Sequence, residues 1–358
     1  MPLIVEGRRT PPAWAHKNGS IRTIPIDRFR VSTDCVRIAF INNMPDPALE
    51  DTEVQFFELL NRAAGEITVR IKLYSLPGIP RSERGREHLK DFYLEFADLW
   101  NSRFHALIVT GTEPHTSNLR DEPYWPALVQ LLDWAERNTI STILSCLAAH
   151  ASAFHGDGIE RNRLNDKQCG VFDFIKMCDH TLTREVQSVR FPHSRWNELR
   201  PQELRAAGYV ILTESAEAGA DCFIKQRKES LFVHFQGHPE YSDRTLLKEY
   251  RRDVKRFLRH ERETYPSMPR GYFDASATQL LKEFRNVALS NPSEEVFSLF
   301  PQTVGDTLQN GWHSCATSIY KSWLGYVNSK RLTTATLVAM PASASASAGG
   351  YKRRSAVQ

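Results

Sequence analysis

Two short stretches carry the residue types of a thiol nucleophile and its base. In "STILSCLAAHASAFHG" (141–156), Cys146 stands where a β-branched run stops and an alanine-rich run starts, the place where a strand-to-helix turn lifts a side chain clear of a sheet. In "FVHFQGHPEYSD" (232–243), His238 and Glu240 lie on either side of a proline. A cysteine nucleophile needs a base to hold its proton, and a third group to orient that base. Pro239 disfavours a helical backbone at His238, so the segment is predicted to be extended, with both side chains facing one pocket. The first N–H groups of a helix after Cys146, beginning at Leu147, would hold a developing oxyanion and favour the thiolate. The competing reading is a packed thiol, since free cysteine behaves as a small hydrophobe.

The elements that must position these residues show in the hydrophobic pattern. Strands are predicted at 36–41, 67–74, 105–111, 141–145, 208–215, 221–225 and 231–236, where short β-branched or aromatic runs are bounded by turn residues. Helices are predicted at 50–64, 125–137, 146–156, 243–260, 276–288 and 315–328. The first four strands alternate with helical segments, the order of an α/β fold with a mostly parallel open sheet covered on both faces. The later strands crowd together, which predicts an antiparallel extension, and the last helices add a C-terminal helical portion. Ligands bind such sheets at the carboxyl ends of the strands, and both "TGTEPH" (110–115) and Cys146 fall there.

Composition bounds the rest. The 358 residues carry 46 basic and 42 acidic side chains mixed along the chain, a balance that calls for no nucleic-acid partner. No run reaches the roughly 18 apolar residues of a membrane span, and the N-terminal apolar stretch is too short for a secretory core. Six scattered cysteines predict free thiols in a reducing cytoplasm. Cys169, Cys178, His180 and His193 lack the paired spacing of a structural zinc site, so no metal is expected. His150, His155, Trp312, His313 and Trp323 are read as packing residues, and the basic stretch 82–93 as a solvated helix that could also attract phosphates. Residues 1–33 read as an extended arm, 34–330 as the catalytic domain, and 331–358 as a low-complexity, disordered tail with basic residues near its end.

Across 36–328 the chain resembles the homoserine O-acyltransferases of the succinyltransferase type, which have a class I glutamine-amidotransferase-like, flavodoxin-like fold. The resemblance rests on ordered motifs: "NNMPDPALEDTEVQFFELL", "FYLEFADLWNSRFHALIVTGTEP", "EPYWPALVQLLDWA", "STILSCLAAHAS", "NDKQCGVF", "PHSRW", "GHPEYSDRTLLKEYRRDV" and "WHSCATSIYKSWLGYV". It implies that Cys146 accepts the acyl group, His238 is the general base and Glu240 its partner. It further implies that Arg252 grips the amino-acid carboxylate, a role suited to a bidentate guanidinium, while Lys167 and Ser194 line the pocket. The implied reaction is ping-pong. Succinyl-CoA or acetyl-CoA serves as co-substrate, L-homoserine is the acceptor, and no cofactor is held; the small-molecule enzyme would be a homodimer working in methionine biosynthesis.

Three departures from the family pattern stand out. Its opening "NLMP" usually runs into lysines; here Asn43, Met44 and Pro45 lead to Asp46. Four residues past Gly111, where the family has glutamate in acetyl-CoA users and glycine in succinyl-CoA users, stands His115, which would not repel a distal carboxylate as glutamate does. The arm and the tail have no counterpart. The same chemistry on L-serine is an alternative, as are a glutaminase and a non-catalytic binding protein on this fold. Glutaminases flank the nucleophile with glycines, whereas Leu144 and Ala148 stand here. A silent binding protein need not keep Cys146, His238, Glu240, Arg252 and Lys167 together.

Overall fold

A computed structural model describes residues 3–7, 22–25 and 34–339 and arranges them on two sheets. The strands of the main sheet are β1 (Leu3–Gly7), β2 (Arg22–Pro25), β3 (Val36–Ile41), β4 (Val69–Tyr74), β5 (Ala106–Val109) and β6 (Ser141–Ser145). It is completed by β9 (Val210–Ile211), β12 (Cys222–Arg227) and β13 (Ser230–Phe235). Their order across the sheet is β2-β1-β4-β3-β5-β6-β13-β12-β9. All pairings from β2 to β13 are parallel, and β12 and β9 extend the edge in antiparallel fashion, as the crowding of the later strands led one to expect.

The central strands are apolar on both faces because helices cover both. Val36, Ile38 and Phe40 of β3 pack into one core with α1 (Asp46–Ala64) and α8 (His313–Ala339), while Ala39 and Ile41 pack into a second core with α3 (Trp125–Asn138) and α4 (Leu147–Asp157). The remaining helices are α2 (Glu83–Phe92), α5 (Pro201–Ala206), α6 (Thr245–Leu258) and α7 (Ala275–Ser290). Expected helix positions agree with these to within a few residues at most ends. The exception is α8, which runs from His313 to Ala339, well beyond the 315–328 expected, so that residues 331–339, read as the start of a disordered tail, are helical instead. Trp323 anchors α8: its indole Nε1 donates to Ser141 Oγ at the start of β6, 2.9 Å away.

A second, antiparallel sheet has the order β11-β10-β7-β8 and is built on a long hairpin, β7 (Asn162–Lys176) and β8 (Val189–Glu198), joined by β10 (Thr213–Ser215) and β11 (Gly219–Ala220). Sequence reasoning missed this hairpin because β7 begins with the polar run "NRLNDKQ", which lacks the apolar alternation of a half-buried strand. The single strand expected at 208–215 is instead two: Val210–Ile211 belongs to the main sheet and Thr213–Ser215 to the second, so the chain changes sheets at Leu212. Within the segment read as an extended arm, β1 pairs with β4 and with β2. The rest of that segment, and the disorder expected of the tail beyond Ala339, lie outside the described residues.

Candidate active site

Cys146 follows the last residue of β6 and precedes the first of α4. Its backbone has φ 51° and ψ −112°, a conformation that L residues rarely adopt. The β13 ladder fixes this turn from below, since Cys146 N donates to Phe235 O at 2.8 Å. Its carbonyl then accepts from Ala149 N and His150 N, which leaves the N–H groups of Leu147 and Ala148 at the open end of α4. Gly111, after β5, comes so close to this end that a Cβ on it would stand 3.0 Å from Leu147 N.

The loop after β13 brings His238 to Cys146. Its Nδ1 lies 2.8 Å from Glu240 Oε1, and the imidazole interacts with the side chain of Cys146. Both His238 and Glu240 are buried. Burial acts to lower the His238 pKa, but the Glu240 carboxylate and the Cys146 sulfur outweigh it and hold the imidazole well above its usual value. The expected extended backbone is corrected: His238–Tyr241 is a turn closed by Tyr241 N donating to His238 O at 3.2 Å. Pro239 sits at the turn position its ring pre-sets, and the turn brings the two side chains together.

Lys167, Ser194 and Arg252 form a second group around two carboxylates of α6. Lys167 Nζ lies 2.9 Å from Asp253 Oδ2 and 3.4 Å from Glu249 Oε2, and Ser194 Oγ donates to Glu249. Arg252 Nε donates to Asp253 Oδ1 at 3.2 Å while its guanidinium stays half-exposed. Burial would raise the Glu249 pKa, but Lys167 and the hydroxyls of Ser194 and Tyr241 outweigh it and keep the carboxyl below its usual range. Lys167 reaches this place because the β7–β8 register slips: between the pairs Arg163↔Asn197 and Gln168↔Arg195, β7 carries residues 164–167 against Trp196 alone. Tyr241 links the groups, stacking on His238 and donating from its hydroxyl to Glu249. Glu249, Asp253 and Tyr241 were not foreseen, although Glu249 and Asp253 lie four apart on the helix that carries Arg252, so one face presents all three.

His115 lies on the loop after β5, two residues past Glu113, which pairs with Arg256 of α6. Glu122 Oε1 accepts from His115 N and Thr116 N, each at 2.6 Å, and so sets the shape of that loop. Where the family's lysine is missing, Arg81 serves as a clamp: its guanidinium donates to Met44 O at 2.5 Å and to Asp46 Oδ1 at 3.1 Å. His150 is buried with Nε2 2.9 Å from Gln236 Oε1, and burial pulls its pKa down to about 3. Cys169, Cys178, His180 and His193 have separate partners. Among the described residues no helix is long and apolar enough to cross a membrane.

The family model of homoserine O-succinyltransferase matches residues 28–334. The chain is 43% identical over 291 residues to a homoserine O-succinyltransferase of Rhodopseudomonas palustris, covering 81% of this chain and 87% of that one. A homoserine O-succinyltransferase of Bradyrhizobium japonicum is 40% identical over 333 residues, covering 91% and 99%. Among solved structures, a glutamine amido transferase from Methylobacillus flagellatus superposes with a TM-score of 0.44 at 15% identity, covering 82% of this chain and 96% of that one. A glutamine amidotransferase from Thermotoga maritima gives 0.42 at 12%, covering 82% and 98%.

Proposed function

The chain belongs to the homoserine O-succinyltransferase family, and from that membership we propose that it moves a succinyl group from coenzyme A to the hydroxyl of L-homoserine through a thioester on Cys146. The observation that carries this reading is the left-handed turn at Cys146 with the His238–Glu240 pair against its thiol. The Cys146 thiolate attacks the thioester carbonyl, and the negative charge gathers on the carbonyl oxygen beside the N–H of Leu147, the N-terminus of α4 adding its dipole. The C–S bond to coenzyme A breaks and the leaving thiolate takes the proton held by His238. In the second half-reaction His238 takes the hydroxyl proton of the acceptor, the alkoxide attacks the Cys146 thioester, and the Cys146 sulfur leaves. Glu240 holds the ring so that one nitrogen serves both transfers.

The acceptor is an α-amino acid, and Arg252, Lys167 and Ser194 form the group that would take its charged end. Its ammonium suits Glu249 and Asp253, which already gather cationic and hydroxyl partners. His115 lines the acyl end in this reading and favours a succinyl tail over acetyl by not repelling its carboxylate. The enzyme so read is a cytoplasmic homodimer whose acyltransferase domain spans 34–330.

Purified protein is given homoserine or serine with succinyl-CoA or acetyl-CoA, and release of free coenzyme A is followed. Turnover is expected to be fastest with homoserine and succinyl-CoA. No turnover in any of the four combinations would overturn the acyltransferase reading, and a preference for serine or acetyl-CoA would replace the acceptor or the acyl group.

A further inference from the structure

Behind the Cys146–His238 pair runs a chain of buried charged groups that the reaction scheme leaves unused. Strand β8 alternates its side chains. Ser194 faces Glu249, while His193 and Arg195 point the other way into the interior, where both are buried. Arg195 Nε donates to His193 Nδ1 at 3.2 Å, and its other nitrogens donate to Asn197 O at 2.8 Å and Ala218 O at 2.6 Å. No carboxylate of the described residues forms an ion pair with it. A buried guanidinium cannot shed its proton, so its charge persists, and holding it with neutral acceptors and no paired carboxylate is costly.

The chain continues to the loop that carries the base. Because arginine only donates, His193 Nδ1 must be the bare nitrogen, and the proton sits on Nε2, which faces Asp221 Oδ1 at 3.3 Å. Burial pulls His193 down to about 4, so it is neutral at physiological pH. Asp221 Oδ1 accepts from Gly237 N at 2.8 Å, and Asp221 O from Gln236 N at 3.1 Å. His238 N donates to Pro192 O at 2.8 Å, on the same strand. A Cβ on Gly237 would come within 2.5 Å of His193 Nε2, so only glycine lets the turn sit against this chain. The carboxylates whose charge reaches Arg195 are Glu198 and Asp221, neither of them in an ion pair with it.

We propose that Arg195, His193 and Asp221 form a positioning network for the base: Arg195 holds His193 against Asp221, and Asp221 anchors the Gly237 turn that presents His238 to Cys146. This rests on Cys146 as nucleophile, which is tested separately by whether Cys146→Ala still acquires acyl mass.

The network is tested by the rate of Cys146 alkylation with iodoacetamide against pH, followed by intact mass without acyl donor, beside single-turnover acylation and the acceptor KM. Arg195→Met and Asp221→Ala are each expected to slow acylation ~10-fold and to change the pH profile of alkylation, because His238 is no longer held in place, leaving the acceptor KM within about twofold. Arg195→Lys, which can still donate to His193, is expected to bring the profile back towards the native one. Asp221→Asn keeps an oxygen that can accept from Gly237 N, so it is expected to hold the native profile; Asp221→Ala carries the test if Arg195→Met does not fold. Alkylation profiles that match the native one in Arg195→Met, or in Asp221→Ala where that variant alone folds, would overturn the proposal, whatever happens to turnover.

Discussion

The ring of Tyr241 stacks on that of His238 with centroids 4.1 Å apart and planes at 16°, and its hydroxyl donates to Glu249 Oε1 at 2.7 Å. One side chain thus ties the base beside Cys146 to the carboxylate around which Lys167 and Ser194 gather. Tyr241→Phe keeps the stack and deletes the bond. Since a hydrogen bond to a charged group contributes about 1.5–3 kcal/mol, the acceptor KM is expected to rise about tenfold, with acylation of Cys146 nearly unchanged, as measured by separate half-reactions. Equal losses in both half-reactions would show that the stack, not the bond, matters.

The backbone at Cys146 predicts a separation of stability from chemistry. A non-glycine residue at φ 51° and ψ −112° carries strain of about 1–3 kcal/mol. Cys146→Ala and Cys146→Gly should both fail to acquire acyl mass from an acyl-CoA, yet the glycine variant should unfold at higher temperature than the alanine variant. Calorimetry on the two proteins checks the order.

His238 is held above its usual pKa in the folded chain, so its protonated form binds the fold better than it binds the unfolded chain. The stability this contributes is fully present below pH ~6.5, the unfolded value, and is lost as pH rises through the folded one. Glu240→Gln removes the carboxylate that drives the shift. The difference in unfolding free energy between native protein and Glu240→Gln is expected to be on the order of 3 kcal/mol between pH 5 and pH ~6.5 and to narrow above it. A gap that widens with pH in denaturant titrations would contradict this.

Arg252 hydrogen-bonds Asp253, with the charges of Glu249 and Glu113 close by, and keeps a half-exposed guanidinium open to a ligand. Arg252→Ala is expected to raise the acceptor KM by ~10- to 100-fold, the range of a charged hydrogen-bond pair, while the rate of Cys146 acylation stays within about twofold. If both half-reactions fall together, Arg252 acts through Asp253 on the fold of α6.

A methyl group at Gly237 would press on His193 Nε2 and Asp221 Oδ1. Gly237→Ala is expected to cost about 1–3 kcal/mol of stability, as overpacking of a tight interior does, and to lower kcat more than it changes either KM. Thermal unfolding and steady-state kinetics on one preparation distinguish the two effects.

The parallel sheet was legible because its strands are short apolar runs separated by helical spacing, and β3 and β6 fall where that pattern puts them. The Cys146 turn was legible for the same reason: the short strand run "STILS" ends one position before it. The β7–β8 hairpin was not, because its pairing is non-local and its first half is polar on both faces. With it went Arg195 and the placement of Lys167, which depend on strand alternation and on a register slip that no local spacing records. The pairing of His238 with Glu240 was foreseen, but from an extended backbone; the proline instead serves a turn, since Tyr241 N finds His238 O.

Helix α8 buries Tyr320 against Phe235, the residue just before the Gln236–Glu240 loop, and ties Trp323 to Ser141 at the far end of the strand that leads to Cys146. Both contacts come from an element translated more than seventy residues after that loop. A nascent chain exposed to the ribosome tunnel mouth therefore carries its cysteine, histidine and glutamate long before the wall behind them exists. Reactivity of the thiol should appear late in synthesis, once α8 has emerged and closed over β6 and β13.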